Sequence, residues 1–291
     1  MENLLQGAWD LHIHCGPDII PRSVTGLEMA RRAERCGMRG FAIKAHYGCT
    51  CQQAALVNEL VPACRAVGTL TMNSATGGIN PMAVETAARL GARLVWCPTF
   101  DSASQQSYYL EKLPAYIAMQ SKLLERHMQV PSYRLTDGQG RLTREMGEVL
   151  ELVQEHNMVL GTGHITHEET FALARESHRR GFRKLLITHA DWSFTHYTLA
   201  EQRELVRLGA TIEHSYTSPA TLHSLPWEEA LHEIRELGPE HIVISTDLGQ
   251  AQNIFPDVGL QDYGERLLQA GFSREELHRM IAANPAELME A

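Results

Sequence analysis

The chain has 291 residues, 44% of them hydrophobic and 21% charged, which suffices for a large core and excludes a disordered chain. With 26 Lys and Arg against 35 Asp and Glu, the formal net charge is −9, and a general nucleic-acid binder, which needs a basic face, is not expected. No run of about 18 apolar residues occurs, so no membrane span is expected, and the opening MENLLQGAWDLHIH lacks the regions of a signal peptide.

Short aliphatic or β-branched runs alternate with amphipathic stretches along the whole chain. Ala8–Cys15 predicts a strand and Leu27–Cys36 a helix. Gly40–His46 and Gln52–Ala63 repeat the pair, as do Gly68–Ser74 and Pro81–Leu90. Arg93–Pro98 predicts a fourth strand, followed by an insertion over about 101–142. Tyr108–Met128 reads as helix within it, and the stretch around Asp137-Gly138 as a small hairpin. The helix Thr143–His156 leads to the strand Met158–His164 and the helix Glu168–Arg179. Lys184–His189 and Leu199–Leu208, Ala210–His214 and Trp227–Leu237, and His241–Asp247 and Leu260–Ala270 complete the series. Thr166 with Glu169 and Ser273 with Glu276 spell capping boxes, and Asn80-Pro81 an N-cap followed by proline. Gly37, Gly91, Gly181, Gly209, Gly238 and Gly271 fall just past helix ends, where a left-handed residue is wanted.

Six of the seven strand-to-strand spacings are 25 to 32 residues, the length of one βα unit. With no linker or composition break, the pattern predicts a single α/β domain over 1–291, a (β/α)₈ TIM barrel with an inserted helix and hairpin after strand four. A doubly wound open sheet is the alternative, but no G-x-G-x-x-G follows the first strand. All six cysteines lie between Cys15 and Cys97, which suits reduced thiols in a cytoplasmic protein better than a disulfide framework.

Barrel chemistry collects where the strands end. The first strand ends Asp10-Leu-His12-Ile-His14, the second Lys44-Ala-His46, the fifth Gly163-His164. The sixth ends Thr188-His189-Ala-Asp191, the seventh Glu213-His214, the eighth Ser245-Thr246-Asp247. Alternation puts His12 and His14 on one face, about 7 Å apart along the strand, with Asp10 deeper on the same face. Two neutral imidazoles so placed can hold a divalent metal. Alone, His-x-His is a weak signal; it gains weight because six of the 15 histidines occupy strand ends. His164 and His189 are near enough to share a second metal. Asp247, on the strand beside the first, can ligate the metal or take a proton from its water.

Residue by residue, this order resembles the amidohydrolase superfamily of metal-dependent hydrolases on (β/α)₈ barrels. The segments His14-Cys-Gly-Pro-Asp18, Lys44-Ala-His46 and Ser245-Thr-Asp-Leu-Gly-Gln250 look most like an uncharacterised bacterial branch, and Ala283–Met289 resembles the closing N-P-A-x-x-L helix. The resemblance implies that His12 and His14 bind a first metal, His164 and His189 a second metal or the substrate, and Asp247 the catalytic water. One or two ions are implied, zinc first, with manganese or iron as alternatives. Strand four departs from the pattern: it ends Trp96-Cys97-Pro98-Thr99, without the lysine or glutamate that bridges two metals in many members. Lys44 stands in as a carboxylated bridge, as a cationic substrate anchor, or as a structural partner of Asp10 or another buried carboxylate. An ammonium cannot itself ligate.

His46, of the same parity as Lys44, is a candidate substrate contact. On strand seven only one of Glu213 and His214 can face the axis, and His214 is the favoured one. Arg22 and Tyr47, in the loops after strands one and two, are further candidate substrate contacts. The expected reaction is attack of a metal-activated water on an amide, lactam, imide, ester or lactone carbonyl of a small molecule. Asp247 carries the proton and His189 helps hold the oxyanion. A phosphotriesterase-like phosphoester hydrolase, a metal-dependent decarboxylase and a non-catalytic ligand-binding barrel are the rivals. A homo-oligomer is expected from the habit of the fold.

Overall fold

Eight parallel strands pair in sequence order, β1 to β8, and the computed structural model describes residues 3–112 and 118–290. In chain order the elements are β1 (Trp9–Ile13), α1 (Gly26–Arg35), β2 (Gly40–Ile43), α2 (Cys51–Leu60), β3 (Arg65–Thr71), α3 (Pro81–Arg89) and β4 (Leu94–Trp96). Then come α4 (Ala103–Lys112), α5 (Ala118–Glu125), α6 (Arg144–Glu155), β5 (Val159–Gly161), α7 (His167–Arg180), β6 (Leu185–Ile187) and α8 (Leu199–Arg207). β7 (Thr211–Ser215), α9 (Thr217–Ala220), α10 (Trp227–Leu237), β8 (Ile242–Ser245), α11 (Pro256–Gln269), α12 (Arg274–His278) and α13 (Asn284–Glu290) finish the chain. Closure comes from the strand ends: Asp247 N donates to His12 O and His14 N to Leu248 O, both at 2.8 Å. The fold is the expected (β/α)₈ barrel.

The caps are where the sequence puts them. Thr166 with Glu169 and Ser273 with Glu276 form complete capping boxes, and Asn80 caps α3 ahead of Pro81. All six glycines expected past helix ends have positive φ. In the insertion, the expected helix is two pieces, α4 and α5, and its residues 113–117 lie outside the described residues. The hairpin is present: Asp137 N donates to Arg141 O at 2.8 Å, and Thr136 bridges Leu142 in antiparallel fashion.

Two apolar layers position the site. An inner layer of Trp9, Leu11, Ala42, Val67, Leu94, Trp96, Val159, Leu186 and Val243 fills the barrel. Leu288 and Met289 of α13 join it, and Asn284 Nδ2 anchors that helix to Ile242 O at the start of β8. The end opposite the strand C-termini is thereby closed. The outer layer, between strands and helices, includes Ile13, Ile43, Ile187, Ile212 and Ile244. Each fully buried aliphatic side chain contributes roughly 1.5–3 kcal/mol. The register of β1 against β2 shifts between Asp10 and Ile13, so Leu11 packs inward with Trp9 while Ile13 packs outward. Simple alternation along β1 therefore does not hold through the histidines.

Candidate active site

His12 and His14 are both buried, and each has its Nδ1 on an acceptor. His12 Nδ1 lies 3.2 Å from both carboxylate oxygens of Glu213, and His14 Nδ1 3.1 Å from Lys44 O. An acceptor there places the hydrogen on Nδ1 and turns Nε2 to the cavity side as the ligating atom. Both Nε2 atoms converge on one oxygen, Asp247 Oδ1, at 3.1 and 3.0 Å. Thr217 Oγ1 donates to the other Asp247 oxygen at 3.0 Å. Three electron-rich atoms meeting at one point repel unless a cation or proton lies among them.

Lys44 Nζ supplies one cation nearby, 2.9 Å from His12 Nε2 and 4.5 Å from the ring centre of Trp96. The lysine is fully buried, and burial pulls its pKa down to about 8 against the opposing charges of Asp247 and Glu213. Its partners are thus His12 and these two carboxylates. Asp10, the partner expected for a purely structural role, instead accepts from His12 N and from Thr246 N and Oγ1. Burial lifts the Asp10 pKa to about 7 despite those bonds.

Burial and Lys44 push the His12 pKa down, but Glu213 and Asp247 outweigh them and it lies above its usual value. The proton favoured there is what a divalent cation would replace. Burial keeps the other imidazoles neutral: His14 and His189 titrate near about 3, and His46 and His164 well below the normal range. Burial opposes the charge of Glu213, yet His12 overcomes it and holds the carboxyl down near about 2. Asp247 is held well below the usual carboxylate range, chiefly by His12 against its burial.

His189 and Asp247 share a backbone feature. Both have φ of +54°, a left-handed conformation that costs about 1–3 kcal/mol for a non-glycine residue. Each sits just past its strand, where the twist turns the side chain over the barrel mouth. His189 N lies 3.3 Å from Glu213 Oε2, and the His189 ring is 4.9 Å from that of His12. Ligand atoms of His12, His189 and Glu213 form one cluster within 4.8 Å, and those of His12, His14 and Asp247 another. His164 is beside them, its ring 5.2 Å from that of His189, with Nδ1 on Gln105 of α4. Its buried Nε2 has no partner among the described residues. This donor set, imidazoles with preset tautomers around a carboxylate, fits a first-row divalent ion.

A cavity of about 740 Å³ opens above the cluster, lined by His14, Arg22, Lys44, His46, His164, His189 and Asp247 among others. His46 stacks between His14 and Phe100, with Nδ1 2.9 Å from Thr99 Oγ1. Two expected contacts are not on its wall. Tyr47 donates to Gln120 of α5 at 2.9 Å and packs behind Phe100, which ties the insertion to the barrel. For His214 the parity expectation is reversed. Glu213 pairs in register with inward Val243, whereas His214 pairs with outward Ile244 and lies 3.4 Å from Asp191. Sequence reasoning missed Glu213 and Gln105. For the first, only the observed register against β8 tells the inner face from the outer; nothing in the sequence points to the second. Cys97 is fully buried, and burial raises its pKa, so it remains a protonated core thiol.

Solved structures share this architecture over nearly the whole chain. An amidohydrolase from Pseudomonas aeruginosa matches with a TM-score of 0.63 at 10% identity, over 99% of this chain and 96% of its own. A metallopeptidase described as a dipeptidase gives 0.59 at 13%, over 98% of each chain. A β-aspartyl dipeptidase from Fervidobacterium islandicum, solved with a β-Asp-Leu dipeptide, gives 0.61 at 12%, over 98% of this chain and 75% of its own. At such identities the likeness is one of fold. No curated protein sequence matches the chain. Residues 7–213, well over half of the 291, match DUF6282, a family of unknown function, and the chain belongs to that family.

Proposed function

We propose that the protein is a metal-dependent hydrolase of a small molecule, acting on an amide, lactam, cyclic imide, ester or lactone. The observation that carries this reading is the convergence of two Nε2 atoms of fixed tautomer on one Asp247 oxygen. The fold shared with an amidohydrolase and two dipeptidases supports it. His12, His14 and Asp247 would hold a first ion, with His189 and His164 beside it for a second ion or for substrate. When bound, such an ion lowers the pKa of its water toward about 7 and polarises a carbonyl oxygen. Zinc is the first choice for this nitrogen and oxygen set, with manganese or iron as alternatives.

The chain's own residues divide the remaining work. Asp247 takes the proton of the attacking water and delivers it to the leaving group, with Thr217 fixing its orientation. His189, neutral and aimed by its left-handed backbone, donates to the oxyanion. Glu213 keeps His12 in the ligating tautomer. Trp96 closes the floor beneath Lys44 and His12.

The test is metal content per chain, by mass spectrometry of untagged protein purified without chelator, beside a His12→Ala/His14→Ala control. One or two equivalents, lost in the control, are expected. Two would make Lys44 a carboxylated bridge; one would leave it a free amine. A panel of p-nitrophenyl acyl esters and phosphoesters then separates acyl from phosphoryl transfer. Absence of metal after reconstitution overturns the reading.

A further inference from the structure

Arg22 stands on the cavity wall, and its side chain and that of its neighbour Asp18 are each only 4% exposed. Arg22 Nε donates to Asp18 Oδ2 at 2.8 Å, and Nη2 lies 2.6 Å from that same oxygen. Two nitrogens crowd one acceptor, and Nη2 has no aligned hydrogen-bond partner among the described residues. A guanidinium carries five N–H groups and keeps its charge in any protein environment. Burying that charge against one oxygen, with Nη2 unmatched, is costly unless another acceptor enters.

The backbone fixes where that acceptor would sit. Arg22 forms an antiparallel bridge with Gln250, and Ser23 N donates to Gly249 O at 2.8 Å. Gln250 Nε2 in turn donates to Asp247 O at 2.7 Å. Arg22 is thereby tied to the loop that carries Asp247.

Charge and shape agree. Arg22 and Lys44 are cations on the wall, and Asp247 is the one carboxylate among its described lining residues. Part of the wall is aromatic: the Phe194 ring lies 5.2 Å from Tyr108 and 5.6 Å from Trp192.

We propose that this site takes a small organic carboxylate with a flat or aromatic body. Its carboxylate meets the open edge of Arg22, its body lies against Trp192 and Phe194, and its scissile acyl group faces His12, His14 and Asp247. The acyl placement rests on the hydrolase reading; the anion site does not. A carboxylate is favoured over a phosphate because its two coplanar oxygens match one guanidinium edge and bring a single charge, where a phosphomonoester brings about two.

The experiment is calorimetric titration of N-benzoylglycine, its neutral amide and inorganic phosphate into metal-loaded and metal-stripped protein. The acid is expected to bind about tenfold or more tightly than the amide in both forms. Arg22→Gln abolishes that preference, and Arg22→Lys keeps part of it. Should an unpaired Asp18 unfold the single variant, Asp18→Asn/Arg22→Gln carries the same test. Equal binding of acid and amide overturns the proposal, as does a preference that survives Arg22→Gln or vanishes with the metal. Tighter binding of phosphate than of N-benzoylglycine also overturns it. A preference intact in a protein that takes up no metal leaves the anion site standing and removes the hydrolase; metal and turnover without the preference do the reverse.

Discussion

Glu213 decides more at this site than its distance from the cavity suggests. Its carboxylate meets the Nδ1–H of His12, so it fixes which nitrogen of that ring can ligate. Glu213→Gln keeps an acceptor at that point and loses the charge. The variant should fold and bind metal about 10–100-fold more weakly, which competition with a chelating dye would measure. An unchanged affinity would mean that Glu213 does not act through His12. Asp247→Asn makes a different cut. The amide can still accept from Thr217, yet cannot take a proton from water. With a substrate from the ester panel, kcat should fall by about 10²–10⁴, with KM much less affected. A rise in KM alone would place Asp247 in binding rather than proton transfer.

At the level of elements, the site depends on backbone meeting backbone where β1 and β8 end. Gly249 has φ of +127°, and a Cβ added there would lie 1.8 Å from His14 O. Gly249→Ala should cost about 3 kcal/mol in urea unfolding and lower metal occupancy. Gly91→Ala is the control: φ is +90° there, but nothing lies within 4 Å of the added carbon. It should cost only about 1–2 kcal/mol and leave metal binding alone. Equal losses would show that strain, not the β1–β8 contact, sets the cost. The same junctions mark what sequence can and cannot tell. Eight strands and the capped helices were legible because local chemistry writes them: period, cap residue, glycine past the end. His12, His14, Lys44, His164, His189 and Asp247 were singled out by asking what stands at strand ends, and the structure gathers them around one cluster and cavity. Glu213 was not, because alternation gives two faces without saying which is inner. Only the pairing of Glu213 with Val243 settles that. The shift in β1 is likewise a matter of register with β2, and no residue of Asp10-Leu-His-Ile-His14 announces it.

For the whole molecule, the buried imidazoles tie stability to pH and to metal together. In metal-free protein His14, His46, His164 and His189 resist protonation, because burial pulls their native pKa values below 6.5. Unfolding frees all four to bind protons, so they stabilise the fold above about pH 6.5, and that contribution is lost as pH falls. Asp10 and His12, whose native values are raised, run the other way: they favour the fold at low pH and lose that advantage as pH rises through their native values. Near pH 5 the unfolded chain holds about five protons on the five histidines and the native state about two, on His12 and Asp10. The difference of about three protons makes stability fall by about 4 kcal/mol per pH unit. A bound divalent ion adds about 2.7 kcal/mol at a hundredfold excess over its Kd, and protons on the ligands compete with it as pH drops. Calorimetric melts of metal-loaded and metal-stripped protein should therefore lie apart at pH 7.5 and converge by about pH 5, with the stripped form falling below about pH 6.5. A gap that stays constant across that range would place the ion on groups that do not titrate there, away from His12.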